Sequence, residues 1–138
     1  MLATELEKAY QDRDGMRIVI NTRPIPASRP RVTRNGTYTP AKYANYKKAL
    51  KMLFKQFDKV KAPIALEINV SLYFVSPKSI KYRKFPMPVG DVDNFLKAIL
   101  DAGNETLWDD DQQIVKATVS KQYADRDEII IELNKIVI

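Results

Sequence analysis

The stretch PIALEINVSLYFV, residues 63–75, alternates apolar and polar side chains along its length, with Ile64, Leu66, Ile68, Val70, Leu72 and Phe74 on one side. A period of two marks a β-strand with one buried face, and that face needs other elements to cover it. Two helical patterns flank it. In residues 41–57, Tyr43, Tyr46, Leu50, Leu53 and Phe57 recur at three- and four-residue spacing, while Lys42, Lys47, Lys48, Lys51 and Lys55 form a solvated face. Thr39 is placed to cap this helix, and Pro40 suits its first position. A second helix is predicted over about Val92–Gly103, burying Phe95, Leu96, Ile99 and Leu100.

The remaining elements are shorter. Met16–Asn21 reads as a strand around Ile18 and Ile20. The Pro- and Arg-rich segment after it cannot form a continuous helix or a central strand, and Arg34-Asn35-Gly36 within it is a hairpin signal. Two closing strands, about 113–123 and 128–133, join at ADRD, the first with Val115, Ala117 and Val119 on its buried face. Tyr38 and Tyr73 read as packing residues, and the tail KIVI as a strand extension or a partner contact. Residues 3–13 look like a charged helix that Gly15 would stop. The expected fold is α/β (α+β): a mixed sheet of about four strands packed with two main helices. Residues 16–138 form its single domain, and residues 1–15 an N-terminal helical extension.

Composition removes much chemistry. There is no cysteine and no histidine among the 138 residues, so disulfides, thiolate nucleophiles, Ser-His-Asp triads and His-ligated zinc are all excluded. No apolar run approaches the length of a bilayer span, and the polar N-terminus has no signal-peptide core. A cytoplasmic protein is expected. Any hydrolysis must use carboxylates, lysines, tyrosines and the metal they hold.

Charge is unevenly spread. Residues 91–111 hold seven acids (Asp91, Asp93, Asp101, Glu105, Asp109, Asp110 and Asp111) against one base, Lys97. Elsewhere the chain has 22 basic and 10 acidic residues, a surplus of 12. A positive body around a small negative island suits a polyanionic substrate and a cation-filled site.

Within the island, one of Asp91, Asp93 and Asn94 could serve as the helix N-cap, which accounts for one acid better than for two. On the helix, Asn94, Lys97 and Asp101 share a polar face, and Asp93 and Lys97 lie four residues apart. The second cluster, WDDDQQI, sits just before an apolar strand, with Leu107 and Trp108 available to anchor its loop. If the clusters converge, the result is an all-oxygen site of the kind Mg²⁺ and Mn²⁺ prefer, suited to phosphodiester hydrolysis. Lys97 would then neutralise transition-state charge or orient water. DVDNFLKAILDA lacks the ligand spacing and mid-loop glycine of an EF-hand. The residues FPMPVG before Asp91 are no apolar strand of the sort a haloacid-dehalogenase motif requires.

RPIPASRPRVTRNGTYTPAKYANYK and GDVDNFLKAILDAGNETLWDDDQQIVKATVSKQY together resemble the RusA family of Holliday-junction resolvases, from the first predicted strand to the end of the chain. The specific part is the DxDN, Lys and later Asp-Asp block. The resemblance implies metal ligands at Asp91, Asp93 and Asp111, with Asp110 the other member of the acidic pair, and a catalytic lysine at Lys97. It also implies a Mg²⁺-dependent homodimer, Mn²⁺ substituting, that nicks two opposed strands of a four-way DNA junction in recombination and repair. Asp109 extends the usual pair to a triplet, and DAGN stands where the family has DALN. Arg29, Arg31 and Arg34, with Lys78, Lys81, Arg83 and Lys84, are the expected phosphate contacts. The competing readings are a non-catalytic DNA-binding module and a nuclease of the same chemistry acting on flaps.

Overall fold

The computed structural model describes residues 4–28, 31–38, 40–77 and 84–137, with only the backbone of Arg31 and Tyr38. The elements are β1 (Glu5–Gln11), β2 (Gly15–Asn21), β3 (Arg31–Thr33), β4 (Gly36–Tyr38), α1 (Ala41–Phe54), β5 (Leu66–Val75), α2 (Val92–Gly103), β6 (Ile114–Ala124) and β7 (Glu128–Lys135). Short 3₁₀ turns at Met87–Val89 and Asp111–Gln113 precede α2 and β6 respectively. Five strands form one mixed sheet in the order β1-β2-β7-β5-β6, and β3 and β4 make the hairpin that Arg34–Gly36 signals. Among the described strands only β5 and β6 pair in parallel, so the chain between them must cross back, and α2 is that crossover.

The alternating pattern of β5 becomes the centre of the core. Its buried residues meet those of β7 and β2 in register: Leu72 with Ile129 and Ile20, Val70 with Ile131 and Ile18, Ile68 with Leu133 and Met16. Tyr43, Tyr46, Leu50 and Phe54 of α1 join this cluster, as do Phe95, Ala98, Ile99 and Ala102 of α2. Phe95 meets Phe74 edge to face, with ring centroids 5.5 Å apart. An aromatic pair in this arrangement adds about 0.5–1.5 kcal/mol to the burial of its area.

Several elements differ from the sequence reading. The segment expected to be a helix over 3–13 is β1, the edge strand beside β2. The Asp12 carboxylate accepts from the N–H groups of Asp14 (2.8 Å) and Gly15 (3.0 Å), closing a tight turn that brings β1 onto β2. Sheet pairing overrides local helix propensity here. Gly15 opens β2, where a Cβ would lie 2.2 Å from the Leu133 carbonyl oxygen. On β6, Val115 is 63% exposed, Ala117 is exposed and Val119 half-buried, because β6 is the other edge of the sheet. A register shift opposite Leu66 and Glu67 also leaves Val115 without a partner residue. Strand β5 begins at Leu66, so Ile64 falls outside it. In α1 the core stripe continues to Phe54, with Leu53 and Phe57 only partly buried. Thr39 lies outside the described residues. At the C-terminus, β7 ends at Lys135 and Val137 is exposed.

Gly103 lies within α2, and its missing side chain is the notch that receives the indole of Trp108: a Cβ there would sit 2.3 Å from the ring. Trp108 is fully buried, so the ring has nowhere to retreat. Gly103→Ala is expected to destabilise the protein by about 1–3 kcal/mol, the usual cost of overpacking. Denaturant unfolding checks this; an unchanged midpoint would show that the notch yields freely.

Candidate active site

Asp91 is the N-cap residue of α2, but its carboxylate makes no capping hydrogen bond. Its backbone carbonyl instead accepts from the N–H groups of Asn94 (3.1 Å) and Phe95 (3.2 Å). Asp93 stands exposed in the first turn. Among the described residues neither carboxylate has a hydrogen-bond or ion-pair partner, so neither is consumed by capping. Both sit where the helix dipole and free N–H groups favour negative charge.

The approach to Asp91 is tightly built. Gly90 has φ +134°, and a Cβ would lie 3.0 Å from the Phe95 ring and 3.6 Å from Pro26, so the chain presses closely against both. The Pro-rich segment docks here, with the N–H of Ala27 donating to the Asn94 carbonyl at 2.9 Å. Lys121 of β6 donates to the carbonyls of Gly90 (2.7 Å) and Met87 (3.3 Å). No motif marks Lys121. The available signal is that it interrupts the apolar alternation of β6.

Lys97, Asn94 and Asp101 share the polar side of α2, as their spacing predicts. The Lys97 side chain is 65% exposed and reaches Asp101 at 3.8 Å rather than Asp93. Asp101 also accepts the hydroxyl of Tyr43 at 2.8 Å, tying α2 to α1. Burial, and then this bond to Asp101, push the Tyr43 hydroxyl well above its ordinary pKa, so it remains a donor.

Each acid of the second cluster has a partner. Asp109 accepts the N–H of Ala62 (2.8 Å) and pairs with Lys59 (3.0 Å). The Ala62 N–H, and then Lys59, hold its carboxyl below the ordinary carboxylate range. Asp110 accepts the N–H of Gln112 while the Gln113 side chain accepts that of Asp110, a reciprocal cap on the turn before β6. Asp111 accepts the indole N–H of Trp108 at 2.7 Å.

Leu107 and Trp108 do anchor this loop, and they anchor it at the far end of α2, where Trp108 fills the Gly103 notch. Strand β6 then runs back along α2 until Lys121 reaches Gly90. The 12-residue helix spans about 18 Å. Asp91 and Asp93 thus stand at one end of α2 and Asp111 at the other. Among the described residues no three acids of one chain form a group able to hold a metal ion.

Of the expected phosphate contacts, Arg34 is exposed at the β3–β4 turn and Lys84 is exposed upstream of α2. Arg31 lies in β3, its side chain outside the described residues, as are Arg29, Lys78, Lys81 and Arg83. Tyr73 is half-buried on the sheet face away from the helices. No helix of the described residues is long and apolar enough to cross a membrane.

The chain has a small α+β fold, is basic and lacks histidine, and two carboxylates at a helix start have no partner among the described residues. The family described as Endodeoxyribonuclease RusA matches residues 21–134, and the chain belongs to that family. It is also similar to YqaN of Bacillus subtilis (strain 168), an uncharacterized protein, at 26% identity over 141 residues, covering 89% of this chain and 98% of YqaN. The family match begins inside β2, so β1 precedes it.

The Asp111 contact separates two roles of one side chain. Asp111→Asn retains an acceptor for the indole N–H and is expected to unfold within about 0.5 kcal/mol of the parent. Asp111→Ala leaves that donor unsatisfied and is expected to cost about 1–3 kcal/mol. Equal midpoints for the two variants in urea would show that the bond contributes nothing.

Proposed function

We propose that this protein is a homodimeric, divalent-metal-dependent endonuclease that resolves four-way DNA junctions by paired symmetric nicks, acting in the cytoplasm. Family membership supports the reading, and the observation that carries it is the pair of carboxylates Asp91 and Asp93, without partners among the described residues, with Lys97 on the next turn of the same helix. Mg²⁺ and Mn²⁺ take oxygen ligands. One chain alone does not fit such an ion well, because Asp111 is at the opposite end of α2 from Asp91 and Asp93.

A two-fold dimer resolves that mismatch. A symmetry axis that sets α2 antiparallel to its mate puts the start of one helix beside the end of the other. Each site then combines Asp91 and Asp93 of one protomer with Asp111 of its partner, and the axis generates two equivalent sites, one for each strand to be cut. The surface open to such pairing is β6, an edge strand of 11 residues with Val115 and Ala117 exposed, beside the half-buried Leu96 and Leu100 of α2. A bound ion there supplies Lewis acidity toward the phosphodiester. Lys97 offsets charge on the scissile phosphate, and Arg34 and Lys84 hold backbone phosphates without reading sequence.

The direct test is cleavage of a labelled immobile four-way junction with Mg²⁺, with Mn²⁺ and with chelator, beside a flap and a plain duplex. Paired nicks on opposed strands of the junction, lost with chelator, are expected. Asp93→Asn should lower cleavage by more than the roughly 100-fold typical of losing a supporting contact at a metal site, with junction binding retained. Salt-dependent binding without nicking under either metal would favour a binding module, and preference for the flap a branched-DNA nuclease.

Complementation tests the shared site. Asp93→Asn and Asp111→Asn proteins are each expected to be inactive, whereas heterodimers formed by mixing them should regain single-strand nicking. One of the two sites in that heterodimer carries neither substitution. If all ligands came from one chain, both sites would be damaged and mixing would restore nothing.

A further inference from the structure

Lys121 is an unusual residue for its place. It lies opposite Leu72 of β5, and Leu72 in turn lies opposite Ile129 of β7, both fully buried. Along this side of β6 the alternation runs Ala117, Val119, Lys121, Tyr123, so a lysine occupies the apolar, helix-facing row. Lys121 is half-buried there, and the part of its ammonium turned from water needs acceptors. Among the described residues Lys121 has no carboxylate within ion-pair distance, and its partners are the neutral carbonyls of Gly90 at 2.7 Å and Met87 at 3.3 Å.

Both carbonyls belong to the turn that delivers the chain to Asp91. Packing of Pro86, Val89 and Gly90 also holds that turn, but among the described residues no other side-chain hydrogen bond reaches it. The Met87–Val89 segment is a single 3₁₀ turn without a side-chain cap, and Phe85 and Met87 are 61% and 67% exposed. The Gly90 carbonyl shares a rigid peptide plane with the Asp91 N–H. Fixing that carbonyl therefore fixes the plane from which the Asp91 side chain departs. Two of the three ammonium donors are used, which leaves the positive charge beside the start of α2 without neutralising it.

The geometry points to Lys121 as the positioning residue of the active site: it clamps the turn Met87–Gly90 across the sheet edge and so sets the direction of the Asp91 carboxylate. This rests on the reading of Asp91 as a metal ligand. A misplacement of about 1 Å at a catalytic group costs on the order of 100-fold in rate, so a clamp on the residue next to the ligand has a large lever.

The test compares Lys121→Met, which keeps an apolar stem and loses the donors, with Lys121→Arg, which restores them. Arg17→Met, on the interior strand β2 and paired with Glu132 at 3.9 Å, is the control. Amide hydrogen exchange of the full-length protein should accelerate by about tenfold or more in Lys121→Met at Met87, and at Asn94 and Phe95, whose N–H groups bond to the Asp91 carbonyl, with β5 and β7 unchanged. On the four-way junction, kcat should fall about 10- to 100-fold and the Mg²⁺ concentration for half-maximal cleavage should rise, with junction Kd unchanged. Lys121→Arg should recover most of both, and Arg17→Met should match the parent. Should the Met variant fail to fold, Lys121→Gln, a neutral donor on a shorter stem, takes its place.

Parent-like exchange at Met87, Asn94 and Phe95 in the Met variant overturns the clamp. Weakened junction binding at unchanged kcat also overturns it, making Lys121 a phosphate contact instead. If the parent protein itself does not cleave, the resolvase reading fails, and hydrogen exchange still decides whether Lys121 holds the turn.

Discussion

Strands β5 and β6 run in the same direction, and two parallel neighbours cannot be joined by a tight turn. The chain leaving β5 has to travel back the full length of the sheet before β6 can start. Helix α2 makes that journey, and its apolar face, Phe95, Ala98, Ile99 and Ala102, closes over the core. The crossover also dictates where the acids go. A residue that starts the helix and a residue that follows it are separated by its length, so Asp91 and Asp111 cannot meet within one chain while β5 and β6 remain parallel.

The crossover is secured at both ends by different physics. At its end, the absence of a side chain on Gly103 admits the Trp108 indole, whose N–H is then satisfied by Asp111. Shape and hydrogen bonding act together there. At its start the attachments are polar main-chain contacts: the Ala27 N–H on the Asn94 carbonyl and the Lys121 ammonium on the Gly90 carbonyl. The acids at the two ends are held differently. Three at the end of the helix contact Lys59, main-chain N–H groups and an indole, whereas the two at its start have no side-chain partner among the described residues. The contribution of Asp109 depends on pH in a defined direction. Its lowered pKa makes its contacts fully stabilising above the ordinary carboxylate range, and that contribution is lost as pH falls through the lowered value.

Much of this was legible in advance where periodicity and burial agree. The alternation of β5 identified all five of its buried residues from Leu66 to Phe74, and the 3.6-residue pattern of α2 located its ends. It failed at the sheet edges. Strand β1 has charged residues at helical spacing and is a strand because β2 pairs with it. The apolar residues of β6 look like a core face and are partly exposed because no strand lies beyond them. Lys121 carries no signal in the sequence, since a lone lysine in a strand forms no motif and its contacts lie on a turn some 30 residues away.

What the sequence determined by itself was chemistry and local form: no histidine or cysteine, an acidic island in a basic chain, a central strand, two amphipathic helices, and a block of residues that marks the RusA family. Those properties depend on residue identity and short spacing, which a linear reading contains. Only the tertiary structure decided which acids remain available and where they stand. It gave Asp109, Asp110 and Asp111 contacts in the loop before β6, left Asp91 and Asp93 without partners among the described residues, and put the length of a helix between the two groups. Contacts between distant residues follow from strand order and direction, and no local pattern encodes that β5 and β6 lie side by side and parallel.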